Sequence, residues 1–104
     1  PGVNGKEVHQ AILDHFEKNG FKTGEVDGRM QGFFHGPGHG LGLEIHEAPR
    51  VGGVNDILQA GQVVTVEPGL YYLDAGGIRI EDDVLITDTG CEVLSTFPRV
   101  FELD

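Results

Sequence analysis

His35-Gly36-Pro37-Gly38-His39-Gly40-Leu41-Gly42-Leu43-Glu44-Ile45-His46-Glu47, residues 35–47, sets three histidines and two carboxylates among five glycines and prolines. Side chains that bind metals or carry protons are concentrated on a backbone too permissive for core-building. Gly36, Gly38, Gly40 and Gly42 read as positioning devices that let His39 and its neighbours be aimed into a site. The alternation of Leu41, Leu43 and Ile45 predicts a short strand over residues 40–46 with one buried face, Glu44 and His46 sharing the other. In a straight strand His39 and His46 would point to opposite sides. For both to meet one site, the glycines must bend or bulge the chain.

Two stretches on the C-terminal side alternate as well. Gln62 to Glu67 reads as a β-branched strand, with Val64 and Val66 on one face and Val63, Thr65 and Glu67 on the other, before Pro68-Gly69 breaks it. Residues 77–87 put Ile78, Ile80, Val84 and Ile86 inward and Arg79, Glu81, Asp83 and Thr87 opposite. If the two strands pair, Glu67 and Glu81 stand about 5 Å apart on one face and repel unless a cation lies between them. Read alone, they are equally two solvated carboxylates.

Residues 4–20 read as an amphipathic helix with Asn4 as N-cap, Glu7 as capping-box partner and Gly20 as the stop after Lys18. Val8, Ala11, Ile12 and Phe16 form its apolar stripe, while His9, Asp14, Glu17 and Lys18 are placed outward. His9 and His15 thus read as surface residues. Residues 21–34 are expected to be a loop or weak strand, 48–61 a connecting loop, 88–90 a turn, and Glu92 to Ser95 a last short strand. The tail through Phe97-Pro98 and its acidic end read as solvated surface.

The 104 residues allow one modest domain. Gly accounts for 17 of them, over twice the usual share of about 7 %, but without a G-X-Y period; with 38 % hydrophobic residues this excludes collagen and argues against disorder. A net charge of −10 with only seven Lys and Arg argues against nucleic acid and anionic membrane as partners. Cys91 is the one cysteine, so no internal disulfide forms, and no apolar run has the length of a signal-peptide core or a membrane span. A cytoplasmic setting is expected.

The runs HGPGHGLGLEIHEAP, GQVVTVEPGLYY and GGIRIEDDVLIT, in that order, closely resemble the second half of the Xaa-Pro peptidases, prolidase and aminopeptidase P, in the methionine-aminopeptidase/creatinase clan of metallopeptidases. The match covers nearly the whole chain and rests on three separate motifs. It implies an α+β fold, half of a pita-bread domain, with an N-terminal helix packed on an antiparallel sheet. It further implies His39, Glu67 and Glu81 as metal ligands, a donor set that suits Mn, Co, Zn or Fe. His35 and His46 resemble the histidines that orient substrate and shuttle protons, and Arg79 matches an arginine typical of the Xaa-Pro-cleaving branch. The implied substrate is a peptide with proline at the second position. The implied cofactor is a pair of divalent ions, manganese foremost.

The relatives complete their two-metal site with two aspartates in an upstream DxG-type segment, and nothing before His35 reproduces it; Asp14 lies on the helix and Asp27 in a loop. The chain begins at Pro1 in mid-motif. Residues 1–104 are therefore expected to be the C-terminal half of a catalytic domain. Alone, the chain is expected to be inactive, to hold at most one ion weakly, and to self-associate as a homodimer. The competing readings are a non-catalytic pita-bread interaction module and a mononuclear metal-binding domain.

Overall fold

The computed structural model describes residues 1–102; Leu103 and Asp104, the end of the acidic tail, lie outside it. Helix α1, Gly5–Lys18, starts at Asn4, whose side chain accepts from the Lys6 N–H while Glu7 reaches back to the Asn4 N–H at 3.0 Å, the expected capping box. It closes on Asn19, followed by Gly20 at φ +90°. Val8 packs against the core and Ile12, Leu13 and Phe16 are half-buried, but Ala11 is exposed. His9, placed outward from the sequence, is instead half-buried and stacked on Phe33 with ring centroids 5.2 Å apart. The half-buried face thus gains His9 and Leu13 and loses Ala11, and His9 fits there because an imidazole ring presents an apolar face.

Among the described residues nine short strands follow: β1 Gly24–Val26, β2 Arg29–Gln31, β3 Gly38–Gly40, β4 Glu47–Val51, β5 Val63–Val66, β6 Gly69–Tyr72, β7 Gly76–Arg79, β8 Asp82–Ile86 and β9 Cys91–Val93. Five of them form an antiparallel sheet in the order β4-β3-β5-β8-β9, and two hairpins, β1-β2 and β6-β7, stand apart from it. Val64 and Val84 pair across β5 and β8 and, with Val51, Leu58 and Ile86, make the core under α1. The face parity read from the sequence holds for β5 and β8. Even-numbered residues face the core, and Thr65, Glu67, Glu81 and Asp83 line a cleft on the other side.

Several expectations are corrected. Residues 41–46 form no strand, and Leu41, Leu43 and Ile45 are 57 %, 105 % and 84 % exposed. Alternation makes a strand only where a surface exists to bury one face, and this chain supplies none there. Residues 48–61 are not all loop, since β4 pairs with β3; Pro49 is tolerated because β4 is an edge strand. The run 77–87 is two strands, and Ile78, placed inward from the sequence, is 52 % exposed on β7. The last strand is Cys91–Val93 rather than Glu92 to Ser95. Residues 21–34 contain the β1-β2 hairpin, turned by Asp27 and Gly28 at φ +52° and +78°. Two consecutive residues at positive φ suit a two-residue hairpin, and Asp-Gly was the sequence signal for it.

Candidate functional site

The site is built around an interruption in one long hairpin. The β5-β8 and β6-β7 ladders keep the same register on either side of it, so Glu67 and Glu81 fall opposite one another in the gap. Pro68 breaks β5, and its carbonyl still accepts the Ile80 N–H at 3.3 Å. The Glu67 N–H turns instead to the Pro37 carbonyl at 2.5 Å, which fastens the histidine-rich segment to the same gap.

His39 enters from β3, next to β5. Its N–H donates to the hydroxyl of Thr65 at 3.1 Å, a side chain only 2 % exposed. Gly38 is required here, since a Cβ would overlap the Thr65 carbonyl oxygen. The ladder slips register between His39 and Gly40, and the chain then bends through residues 42–46. That irregularity carries His46 back, edge-on to His39 with ring centroids 4.7 Å apart. His39 Nδ1 lies 2.9 Å from the Gly40 carbonyl oxygen, which can only accept, so Nδ1 carries the proton and Nε2 is left with a free lone pair. Nε2 points at Glu67, 3.6 Å from its carboxylate.

Arg79 approaches Glu67 from β7 at 3.7 Å, and its Nε–H donates to the Tyr71 hydroxyl at 2.8 Å. The Tyr71 ring lies flat against two glycines, Gly69 and Gly77, at each of which a side chain would strike it. The guanidinium is thereby held at the mouth of a 400 Å³ cleft lined by His39, His46, Thr65, Glu67, Glu81 and Asp83, with Leu41 and Ile45 at its lip. Burial, the charge of Glu67 and a hydrogen bond to it, and the charge of Asp83 push the Glu81 carboxyl above its ordinary value; His39 acts in the opposite sense.

Five of the six residues singled out from the sequence, His39, His46, Glu67, Arg79 and Glu81, line this cleft. His35 is not among them. It packs against Phe33 and Tyr71, with centroids at 5.1 and 5.6 Å, behind the ring that holds Arg79. Thr65, Tyr71 and Asp83 were not singled out; strand parity placed Thr65 and Asp83 on the cleft face, whereas no local signal marked Tyr71. Among the described residues, no three His, Cys, Asp or Glu side chains converge tightly enough to form a ready-made metal cage. The donors still fit a divalent cation in kind. A free imidazole lone pair faces a carboxylate, and a second carboxylate is pressed against the first at a cost that a cation between them would relieve.

Residues 1–88 match the model of metallopeptidase family M24. The X-Pro aminopeptidase of Thermotoga maritima superposes with a TM-score of 0.80 at 41 % identity, covering 95 % of this chain and 26 % of that one. The prolidase of Pyrococcus furiosus gives 0.80 at 40 % identity, covering 95 % and 27 %. The X-prolyl aminopeptidase of Caenorhabditis elegans, described as a cytosolic enzyme with a di-nuclear active site, gives 0.67 at 30 % identity, covering 90 % and 16 %. One helix on antiparallel sheets is thus the pita-bread arrangement of the prolidase structures. The chain spans about a quarter, 26 %, of the length of the curated relatives it matches.

Proposed function

We propose, from the premise that this chain belongs to metallopeptidase family M24, that it is the C-terminal half of a catalytic domain that hydrolyses the peptide bond before proline. The observation that carries the reading is the interrupted hairpin, which sets Glu67 against Glu81 with His39 directed at the same point. A lone carboxylate pair in such a register is destabilising; with an imidazole it is half of a coordination shell.

His39, Glu67 and Glu81 would hold a divalent ion, manganese foremost, with cobalt, zinc or iron as alternatives. A second ion would need donors from the rest of the domain, where the resemblance puts two aspartates. When bound, the ions would supply a Lewis acid for the scissile carbonyl and lower the pKa of the attacking water. The protein's own groups do the rest. Thr65 fixes the His39 backbone, and the Gly40 carbonyl fixes its tautomer. His46, exposed beside His39, stands where an imidazole can take up and return a proton. Arg79, tied by Tyr71, offers a fixed cation to a carbonyl or carboxylate of the peptide. His35 supports the Tyr71 ring, so its contribution to substrate orientation runs through Tyr71 and Arg79. Leu41 and Ile45 give the cleft an apolar lip.

Calorimetric titration of the chain with Mn²⁺ tests the reading. Weak uptake of one ion, lost in Glu81→Ala, is expected, together with no hydrolysis of Xaa-Pro peptides until the complementary part of the domain is added. Tight uptake of two ions per chain, or uptake indifferent to Glu81→Ala, would overturn it.

A further inference from the structure

Away from the cleft, Phe33, 1 % exposed, is enclosed by rings from α1 and from the loop that leads into β3. His9 of α1 stacks on it at 5.2 Å and 28°, Phe16 of α1 meets it edge-on at 5.6 Å, and His35 meets it at 5.1 Å and 85°. His9 Nδ1 and His35 Nε2 are both buried without a hydrogen-bond partner. His35 Nδ1 lies 2.9 Å from the Gly36 carbonyl oxygen and so carries the proton of the neutral ring, which leaves Nε2 as a bare lone pair. Protonating either orphan nitrogen would create a buried N–H⁺ with no acceptor, in contact with an aromatic core. We propose that His9, Phe33 and His35 form a proton-operated clasp that fastens α1 to the segment leading into the cleft, closed while the His9 imidazole is neutral and released when it is protonated.

The neighbouring charges do not supply the missing acceptor. On α1, Glu7 is engaged in the helix cap, Asp14 accepts from Gln10, and Lys6, His15, Glu17 and Lys18 are exposed. On β4, against which α1 packs, the Glu47 carboxylate accepts the Glu44 N–H and Arg50 is exposed. On β6 and β7, Tyr71 meets His35 and Arg79 lies beyond it, 5.8 Å from the Tyr71 ring centre, adding a cation. Burial, and then the charge of His35, hold His9 below its ordinary value of 6.5. A base whose folded pKa is depressed favours the fold while neutral, so this stability is present above 6.5 and is lost as pH falls through 6.5 towards the folded value. Release would be felt in the cleft, because Pro37, two residues after His35, accepts the Glu67 N–H. The clasp does not depend on the metal reading.

The test uses the chain as it stands: melting followed by circular dichroism at about pH 8 and about pH 5.5, on either side of the histidine pKa, with NMR titration of the histidine ring protons. The wild-type Tm is expected to fall by several degrees on acidification. His9→Phe, which keeps the stack and cannot titrate, should lose most of that fall. The His9 ring should titrate below 6.5 in the wild type, and its midpoint should rise in His35→Gln, which removes the like charge. An equal fall of Tm in His9→Phe and wild type would overturn the clasp. So would a His9 midpoint at or above 6.5 that His35→Gln leaves unmoved, and this second reading stands even if His9→Phe does not fold.

Discussion

Replacing Glu81 by Gln should make the metal-free chain more stable and the metal-loaded chain less so. Glu67 has a cationic neighbour in Arg79 at 3.7 Å, whereas Glu81 faces the carboxylates of Glu67 and Asp83. Directly opposed like charges cost roughly 0.2–1 kcal/mol, and solvent screening at the exposed Glu81 sets the value at about 0.5. In a domain of this size 1 kcal/mol moves Tm by about 4–8 °C, so the variant should melt about 2–4 °C higher in EDTA. The gain depends on pH in a defined sense. Because the folded Glu81 carboxyl titrates above its ordinary 4.5, its contribution is present below 4.5 and lost as pH rises through the raised value. Glu81→Gln should therefore match the wild type at about pH 4 and surpass it at about pH 8. Metal reverses the order. A ligand at about 100 times its Kd adds about 2.7 kcal/mol to the form that binds it, and a carboxamide is a poor substitute for a carboxylate towards a hard cation. Thermal melts in EDTA and in Mn²⁺ should cross between the two proteins. A Glu81→Gln chain that melts below wild type in EDTA at about pH 8 would refute the reasoning. Equal Mn²⁺ stabilisation of both proteins would do the same.

In the complete catalytic domain, Arg79→Ala and His46→Ala should lower kcat/KM for Xaa-Pro peptides with metal content near normal, whereas His39→Ala should lose metal; equal metal loss in all three would show the roles misassigned. Tyr71→Phe removes the acceptor for Arg79 Nε and should reproduce part of the Arg79→Ala defect without altering metal content, as steady-state kinetics and metal analysis would show. The chain alone should run as a homodimer in light scattering at micromolar concentration, because Leu41, Leu43 and Ile45 are exposed beside open sheet edges. A monodisperse 11.2 kDa monomer would show that the chain tolerates its bare face.

What the sequence made legible was whatever local rules decide without a partner surface. Asn4 and Glu7 form a cap because the capping box is satisfied within four residues. Strand parity put Thr65, Glu67, Glu81 and Asp83 on one face because β5 and β8 pair with each other and sit over a core of their own. The misreadings fall where a side chain's fate is set by something distant in the chain. His9 turns inward because Phe33, twenty-four positions on, offers it a ring. Ile78 turns outward because Pro68 has already diverted its partner strand into a separate hairpin. Residues 41–46 show this most sharply, since their alternation is genuine and Leu43 is nonetheless fully exposed. The same bends that deny these residues a strand bring His46 to His39. A regular strand over 40–46 would have buried the leucines and sent the two imidazoles to opposite faces. The backbone thus forgoes local burial to put two histidines, two glutamates and an arginine around one cleft.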